Sequence, residues 1–156
     1  MDIDHAAIAK EVISRIRYVT IATASKEAVP WNTPVTAAFD EHYNFFWTSW
    51  VGTQHSQNIR DNPAIFIVIF DSTSPVGVGG CVYIQAKAME LIDQSEIDHA
   101  AAHVYQRKNK TPRPSEEFLG ESPRRMYKAV PEKVWISMEE DVKKDFTNTR
   151  REISLI

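Results

Sequence analysis

Seven consecutive residues, Ala64-Ile-Phe-Ile-Val-Ile-Phe70, are apolar and mostly β-branched or aromatic. A run this short cannot cross a bilayer as a helix, which takes roughly 20 residues. Asn62-Pro63 bars a helix from entering it, and Asp71 closes it. The run predicts a central strand covered on both faces. The rest of the chain must supply the layers that cover it.

The flanking patterns supply those layers. Asp4 reads as an N-cap, and Ile8, Val12 and Ile16 follow at helical spacing, which predicts an N-terminal helix within residues 1–16. Arg17–Thr23, Val35–Phe39 and Tyr43–Thr48 read as strands, with Pro30 and Pro34 framing a break and Asp40-Glu41-His42 as a turn. Ser56–Asp61 reads as a short helix ended by Asn62-Pro63. Cys81–Ile92 is a long strand with a bend near Ala86. Ser95-Glu-Ile-Asp98 fits a capping box that opens a helix to about Lys108, and Val134–Met138 reads as the last strand. Residues 139–156 form a charged C-terminal tail. Turns rather than crossover helices join most strands. The pattern therefore predicts a mainly β domain, an antiparallel barrel with peripheral helices, over residues 1–156.

Composition removes several function classes. The 156 residues carry 18 basic and 21 acidic side chains, a net charge of −3, without the basic excess of a nucleic-acid binder. The 5 glycines form neither a G-x-G-x-x-G nor a Walker-A loop. Cys81, the single cysteine, excludes an internal disulfide and a cysteine-cluster metal site. No apolar run is long enough to span a membrane, and Met1-Asp-Ile-Asp-His5 lacks a basic start and an apolar core. These features predict a soluble cytoplasmic protein. No G-x-S-x-G elbow is present, and Cys81 has no basic sequence neighbour to activate it.

Thr48 to Pro63 carries the densest chemistry. A strand ends in hydroxyl residues, a polar loop follows, and a helix begins. Hydroxyls, an amide, an imidazole and free helix N–H groups can converge there on a phosphate or another anion. Alternatively, Thr53 or Ser56 simply caps the helix. His99 and His103 share a helix face, but Ala100 stands where the H-E-x-x-H signature needs Glu and no third ligand is evident, so a surface helix without metal is expected. Trp31, Trp47, Trp50 and Trp135 fit either pocket walls or core and interface packing.

Four stretches carry a resemblance: Tyr18–Thr23, Pro30–Asp40, Phe46–Ser49, and Gln54–Pro63 leading into the apolar run. Val82–Asp93 and Tyr127–Ser137 extend it. Together they resemble the pyridoxamine 5′-phosphate oxidase-like, FMN-binding split-barrel superfamily. The resemblance implies a six-stranded antiparallel split β-barrel of Greek-key type with flanking helices. It also implies a homodimer with the cofactor at its interface.

The resemblance further implies a flavin-dependent oxidoreductase acting on a small organic substrate. A non-catalytic flavin or haem binder and a deazaflavin-dependent reductase are its alternatives. Thr48, Ser49, Gln54, His55 and Ser56 would hold the FMN phosphate. Asn32, Pro34, Val35 and Thr36 would follow the flavin ring, and Trp47 lies within the motif. Gln54-His55 stands where relatives have a basic pair, and Ala37 replaces another basic position. Arg124, Arg125, Arg150 and Arg151 are candidates for a substrate anion, and Cys81 falls near a flavin-contacting position. No acid–base residue is identified.

Overall fold

A computed structural model describes residues 3–75, 78–138 and 150–156. In chain order these form α1 (His5–Arg15), β1 (Tyr18–Ala24), β2 (Pro30–Thr36), β3 (Ala38–Phe39) and β4 (Phe45–Trp50). Then follow α2 (Gln54–Asp61), β5 (Ala64–Ile69), β6 (Gly80–Glu90) and α3 (Gln94–Arg107), a 3₁₀ turn (Ser115–Phe118), β7 (Arg124–Met138) and β8 (Arg151–Ile153). The domain is mainly β with three α-helices. One antiparallel sheet runs in the order β2-β1-β5-β6-β7-β4-β3, and β8 adds to β7.

The first and last strands in that order are β2 and β3, and only Ala37 separates them in sequence. A sheet whose two ends are one residue apart must curl until those ends meet. Ala37 sits buried at this seam, and its N–H donates to the Arg17 carbonyl (3.3 Å). The small side chain suits a position with no room between the strands.

The apolar run became β5, paired with β1 on one side and β6 on the other. Ile65, Ile67 and Ile69 are buried, whereas Phe66 and Val68 are only half-buried, which corrects the expectation of cover on both faces. One face points into the curl of the sheet. The other turns outward, where Phe66 packs against Tyr83 and Trp135 (ring centroids 6.3 and 6.2 Å apart).

Among the described residues eight strands also stand where six were expected. Residues 35–39 are not one strand but the end of β2, the seam and β3. Pro30 and Pro34 lie within β2 rather than framing a break, which an edge strand tolerates because it has one unpaired side. β7 begins at Arg124 rather than Val134 and is long enough to pair β6 over its length and β4 over its first half. The expected bend in β6 is a register shift between Gln85 and Ala86, opposite Pro131 of β7. Of the predicted tail, residues 150–156 supply β8, and residues 139–149 lie outside the described residues.

Helix starts follow side-chain chemistry. Asp4 Oδ1 accepts from the Ala7 N–H (2.9 Å), as its N-cap role requires. α3 starts before the expected capping box. Asp93, not Ser95, is its N-cap and accepts from the Glu96 N–H (3.0 Å), while Ser95 Oγ donates to Asp93 (2.6 Å). α3 packs Ile97, Ala101 and Val104 on Phe46, Met126 and Phe118, forming a second core outside the sheet.

Arg107 ties α3 to α1. Its Nη2 donates to the carbonyls of Ile13 (3.1 Å) and Ile16 (2.7 Å), which the end of α1 leaves without helical partners. The guanidinium also lies 5.4 Å from the Phe39 ring. Arg107→Met keeps the apolar stem but removes both bonds. It should cost about 1–3 kcal/mol of unfolding free energy, read from the urea midpoint.

Candidate functional site

Past the seam, β2 and β4 diverge. Among the described residues β2 pairs only with β1, and β4 meets β3 only through Phe45 and Phe46. The gap between their free edges is a cleft of about 500 Å³, within the usual range for small-molecule sites. Thr33–Thr36 of β2 form one wall and Thr48–Trp50 of β4 another. Thr53 and His55 enter from the start of α2, Tyr105 and Lys108 from the end of α3, Lys110 and Arg113 from the loop after it, and Arg124 from the start of β7.

The hydroxyl end is built on the β4–α2 turn. Gly52 sits in open space, and the Thr53 N–H returns to the Trp50 carbonyl (3.2 Å), so the chain reverses straight into α2. Thr53 is the N-cap residue, but its side chain caps no helix N–H. Its Oγ1 instead lies 3.0 Å from the Trp50 carbonyl, 2.8 Å from Ser56 Oγ and 3.2 Å from His55 Nε2. His55 Nε2 also lies 2.7 Å from Ser49 Oγ. His55 is 5 % exposed, and burial holds its pKa below the usual histidine range.

The opposite end is cationic. Arg113 and Arg124 share Glu117: Arg113 bonds it directly and Arg124 Nη1 lies 3.7 Å away. The Arg124 guanidinium also stacks over Trp50, 5.0 Å from the ring centre. Lys108 Nζ lies over Tyr105 (5.6 Å). Lys108 and Lys110 pair with no carboxylate among the described residues. Burial, and then repulsion from Lys110 and Arg124, lower the pKa of Lys108. Four cations thus face one cleft against a single carboxylate.

Six of the ten cofactor-contact residues expected from sequence line this cleft: Pro34, Val35, Thr36, Thr48, Ser49 and His55. The other four do not. Gln54 projects away and donates to Asn58 (2.9 Å), which itself donates to Thr23 Oγ1 (2.9 Å) beneath α2. Ser56 is buried behind Thr53. Asn32 is exposed farther along β2. Trp47 is fully buried, stacked on Tyr127 (5.7 Å), with its indole N–H unpartnered. Of the four arginines considered, only Arg124 reaches the cleft. Arg125 bonds Glu90 (2.8 Å), Arg150 lies over Tyr83 (3.9 Å), and Arg151 belongs to β8.

Sequence reasoning missed Tyr105, Lys108, Lys110 and Arg113. Lys108-Asn-Lys-Thr-Pro-Arg113 is a basic cluster directly after a helix, and that was the available signal. Nothing local says that the segment folds over the split. The remaining features stay apart from the cleft. His99 and His103 pack on Phe46 (5.6 and 6.0 Å), and His99 Nε2 lies 3.6 Å from Asp40. No group of three metal-ligating side chains occurs among the described residues. Cys81 is half-buried, and burial raises its thiol pKa. No helix among the described residues is long and apolar enough to cross a membrane.

A family model described as pyridoxamine 5′-phosphate oxidase matches residues 7–137. No curated protein matches the chain in sequence. Among solved structures, a heme binding protein from Mycobacterium smegmatis superposes with TM-score 0.70 at 16 % identity. That match covers 87 % of this chain, which spans only 55 % of the mycobacterial protein. The heme storage protein HutZ from Vibrio cholerae gives TM-score 0.68 at 16 % identity, covering 85 % of this chain and 92 % of that one. A structure titled F420 reductase gives 0.58 at 15 % identity, covering 80 % and 94 %. At these identities the likeness is one of fold.

The lowered Lys108 pKa makes a prediction about anion binding. Sulfate keeps its charge across the alkaline range, so it reports on the protein's groups alone. Lys108 should lose its proton below the usual lysine value of about 10.4. Sulfate affinity, followed by NMR titration, should therefore fall as pH rises before that value is reached. In Lys108→Arg the early part of the fall should disappear, because guanidinium stays charged.

Proposed function

We propose, from the premise that the chain belongs to the pyridoxamine 5′-phosphate oxidase family, that the cleft between β2 and β4 holds FMN and serves a flavin-dependent oxidoreductase. One observation carries the reading. Among the described residues, four cations and the hydroxyls of Thr48, Ser49 and Thr53 line one cleft of about 500 Å³ with no carboxylate in its lining, and Glu117 pairs with two of those cations. Such a donor set suits a phosphate, which carries nearly two negative charges at neutral pH.

The chain's own groups divide the work. The hydroxyls at the end of β4 donate to phosphate oxygens, and Lys108 and Lys110 neutralise charge without first breaking an ion pair. The free edge of β2 at Thr33–Thr36 offers backbone groups to the polar rim of a planar ring. Trp50, pinned by Arg124, and Tyr105 shield the cleft from water. Flavin, when bound, supplies hydride or electron transfer to a small organic substrate.

The count of cations also favours a second reading. Four exceed the need of one phosphate, so a deazaflavin or another ligand with several acidic groups suits the same cleft. Haem has less support, because His55 is buried among hydroxyls and no other histidine lines the cleft.

We also propose a homodimer. Directly opposed strand residues share a face. By register Tyr18, Phe66, Val68, Tyr83 and Trp135 lie on the outer face of the sheet, and Tyr18 is 62 % exposed. A second copy would complete the cover that β5 lacks.

Two measurements test these readings. The protein, incubated with FMN and desalted, should retain flavin absorption, and reduced nicotinamide should bleach it with recovery on adding an acceptor. Retention of deazaflavin but not FMN would favour the second reading, and flavin retention without bleaching by any donor would favour a binding protein. Light scattering after gel filtration should give twice the chain mass. Trp135→Glu should shift the protein to the monomer.

A further inference from the structure

We propose that His55 acts on an anion in the cleft only through Ser49, as a neutral donor that turns the Ser49 hydroxyl hydrogen toward the ligand. The inference rests on the anion-site reading above and deepens it. It reverses the simplest expectation for the position, that the imidazole stands in for a basic side chain and faces the phosphate itself.

The argument is a count of hydrogens. Thr53 has one hydroxyl hydrogen and three neighbours: the Trp50 carbonyl at 3.0 Å, Ser56 Oγ at 2.8 Å and His55 Nε2 at 3.2 Å. The two shorter contacts compete for that hydrogen, and the carbonyl can only accept. Whichever receives it, Thr53 Oγ1 presents a lone pair to Nε2. Two lone pairs facing each other would repel, so Nε2 must carry a hydrogen. That N–H points between Thr53 Oγ1 and the closer Ser49 Oγ at 2.7 Å. Ser49 then accepts from His55, and its own hydrogen is free for the cleft that it lines. In the other tautomer Ser49 would spend its hydrogen on His55 and offer a ligand only lone pairs, which an anion rejects.

The surroundings keep the ring neutral. His55 is buried, and neither β4 nor β2 places a charged side chain on the cleft wall beside it. On α2 the charged residues, Arg60 and Asp61, lie in the last turn, away from it. The charges across the cleft are Lys108 of α3, Lys110 and Arg113 of the following loop, and Arg124 of β7. Glu117 is committed to the two arginines. Four cations and one engaged carboxylate oppose a further positive charge. His55 is therefore a positioning residue, and the charge that an anion meets comes from the far wall.

Two experiments test this. In the ligand-free protein, ¹⁵N shifts of the His55 ring should report Nε2 protonated and Nδ1 bare from pH 6 to 8. A hydrogen on Nδ1 alone, or an imidazolium in that range, would overturn the proposal. With FMN as probe, His55→Gln keeps a neutral donor near the position of Nε2. It should bind within about threefold of the unaltered protein, with a ratio that does not change over the same pH range. His55→Leu and Ser49→Ala should each weaken binding about tenfold or more, the worth of one hydrogen bond to a charged group. The double variant should be no weaker than either single one. Additive losses, or a His55→Gln defect that grows as pH falls, would show the imidazole acting as a cation on the ligand and sink the idea. Should the unaltered protein fail to bind FMN while Nε2 carries its hydrogen, the cofactor reading falls and the proton arrangement stands.

Discussion

A single buried alanine sets the geometry on which everything else depends. Because Ala37 alone joins β2 to β3, the two ends of an antiparallel sheet are forced together at one point. Away from that point nothing holds the edges, and the right-handed twist of strands separates them. A seam that closes at one end and opens at the other is a cleft with backbone on both sides. The core supports this shape from within: Ile21, Ile67, Ile84 and Ile136 fill the curl along β1, β5, β6 and β7. A larger residue at position 37 would have to push apart Arg17 and the start of β3.

The helices then furnish what the sheet cannot. Strand edges offer neutral donors and acceptors but little charge. α3 lies outside the sheet on its own apolar cluster and ends beside the opening. Its last residues divide between two tasks. Arg107 turns inward to satisfy the end of α1, and Lys108, one position on, turns to the cleft. Structural and cleft-facing cations are thus neighbours in sequence, separated by the rotation of one helical step. The same step separates Gln54 from His55 on α2. One braces Asn58 beneath the helix, and the other reaches the hydroxyl cluster.

This angular sorting explains what could be read from sequence. Hydrophobic spacing located α1 because one buried face dictates its period, whereas β1 and β5 were legible from runs of β-branched and apolar residues. The hydroxyl wall was legible because strand-end Thr48 and Ser49 directly precede a helix start. The first half of β7 was not, since Arg124-Arg-Met-Tyr-Lys128 mixes charge with apolar residues and is a strand only because β4 and β6 flank it. The cationic wall was illegible as a site, because its placement depends on α3 docking against Phe46 and Met126, a contact between distant parts of the chain. Trp47 misled for the converse reason. Thr48, Ser49 and Trp50, which follow it, line the cleft, but Trp47 lies farther back along β4 and packs with Phe45 in the core.

The prolines of β2 have a consequence for the protein in the absence of any ligand. An open seam leaves a row of backbone groups without partners, the feature through which sheet proteins join edge to edge into aggregates. Pro30 and Pro34 lack N–H groups, so the edge they occupy cannot offer the full ladder that an incoming strand requires. A small molecule needs only a few of those groups and is not refused. The edge thereby resists extension by another strand while its remaining backbone groups stay open to the cleft.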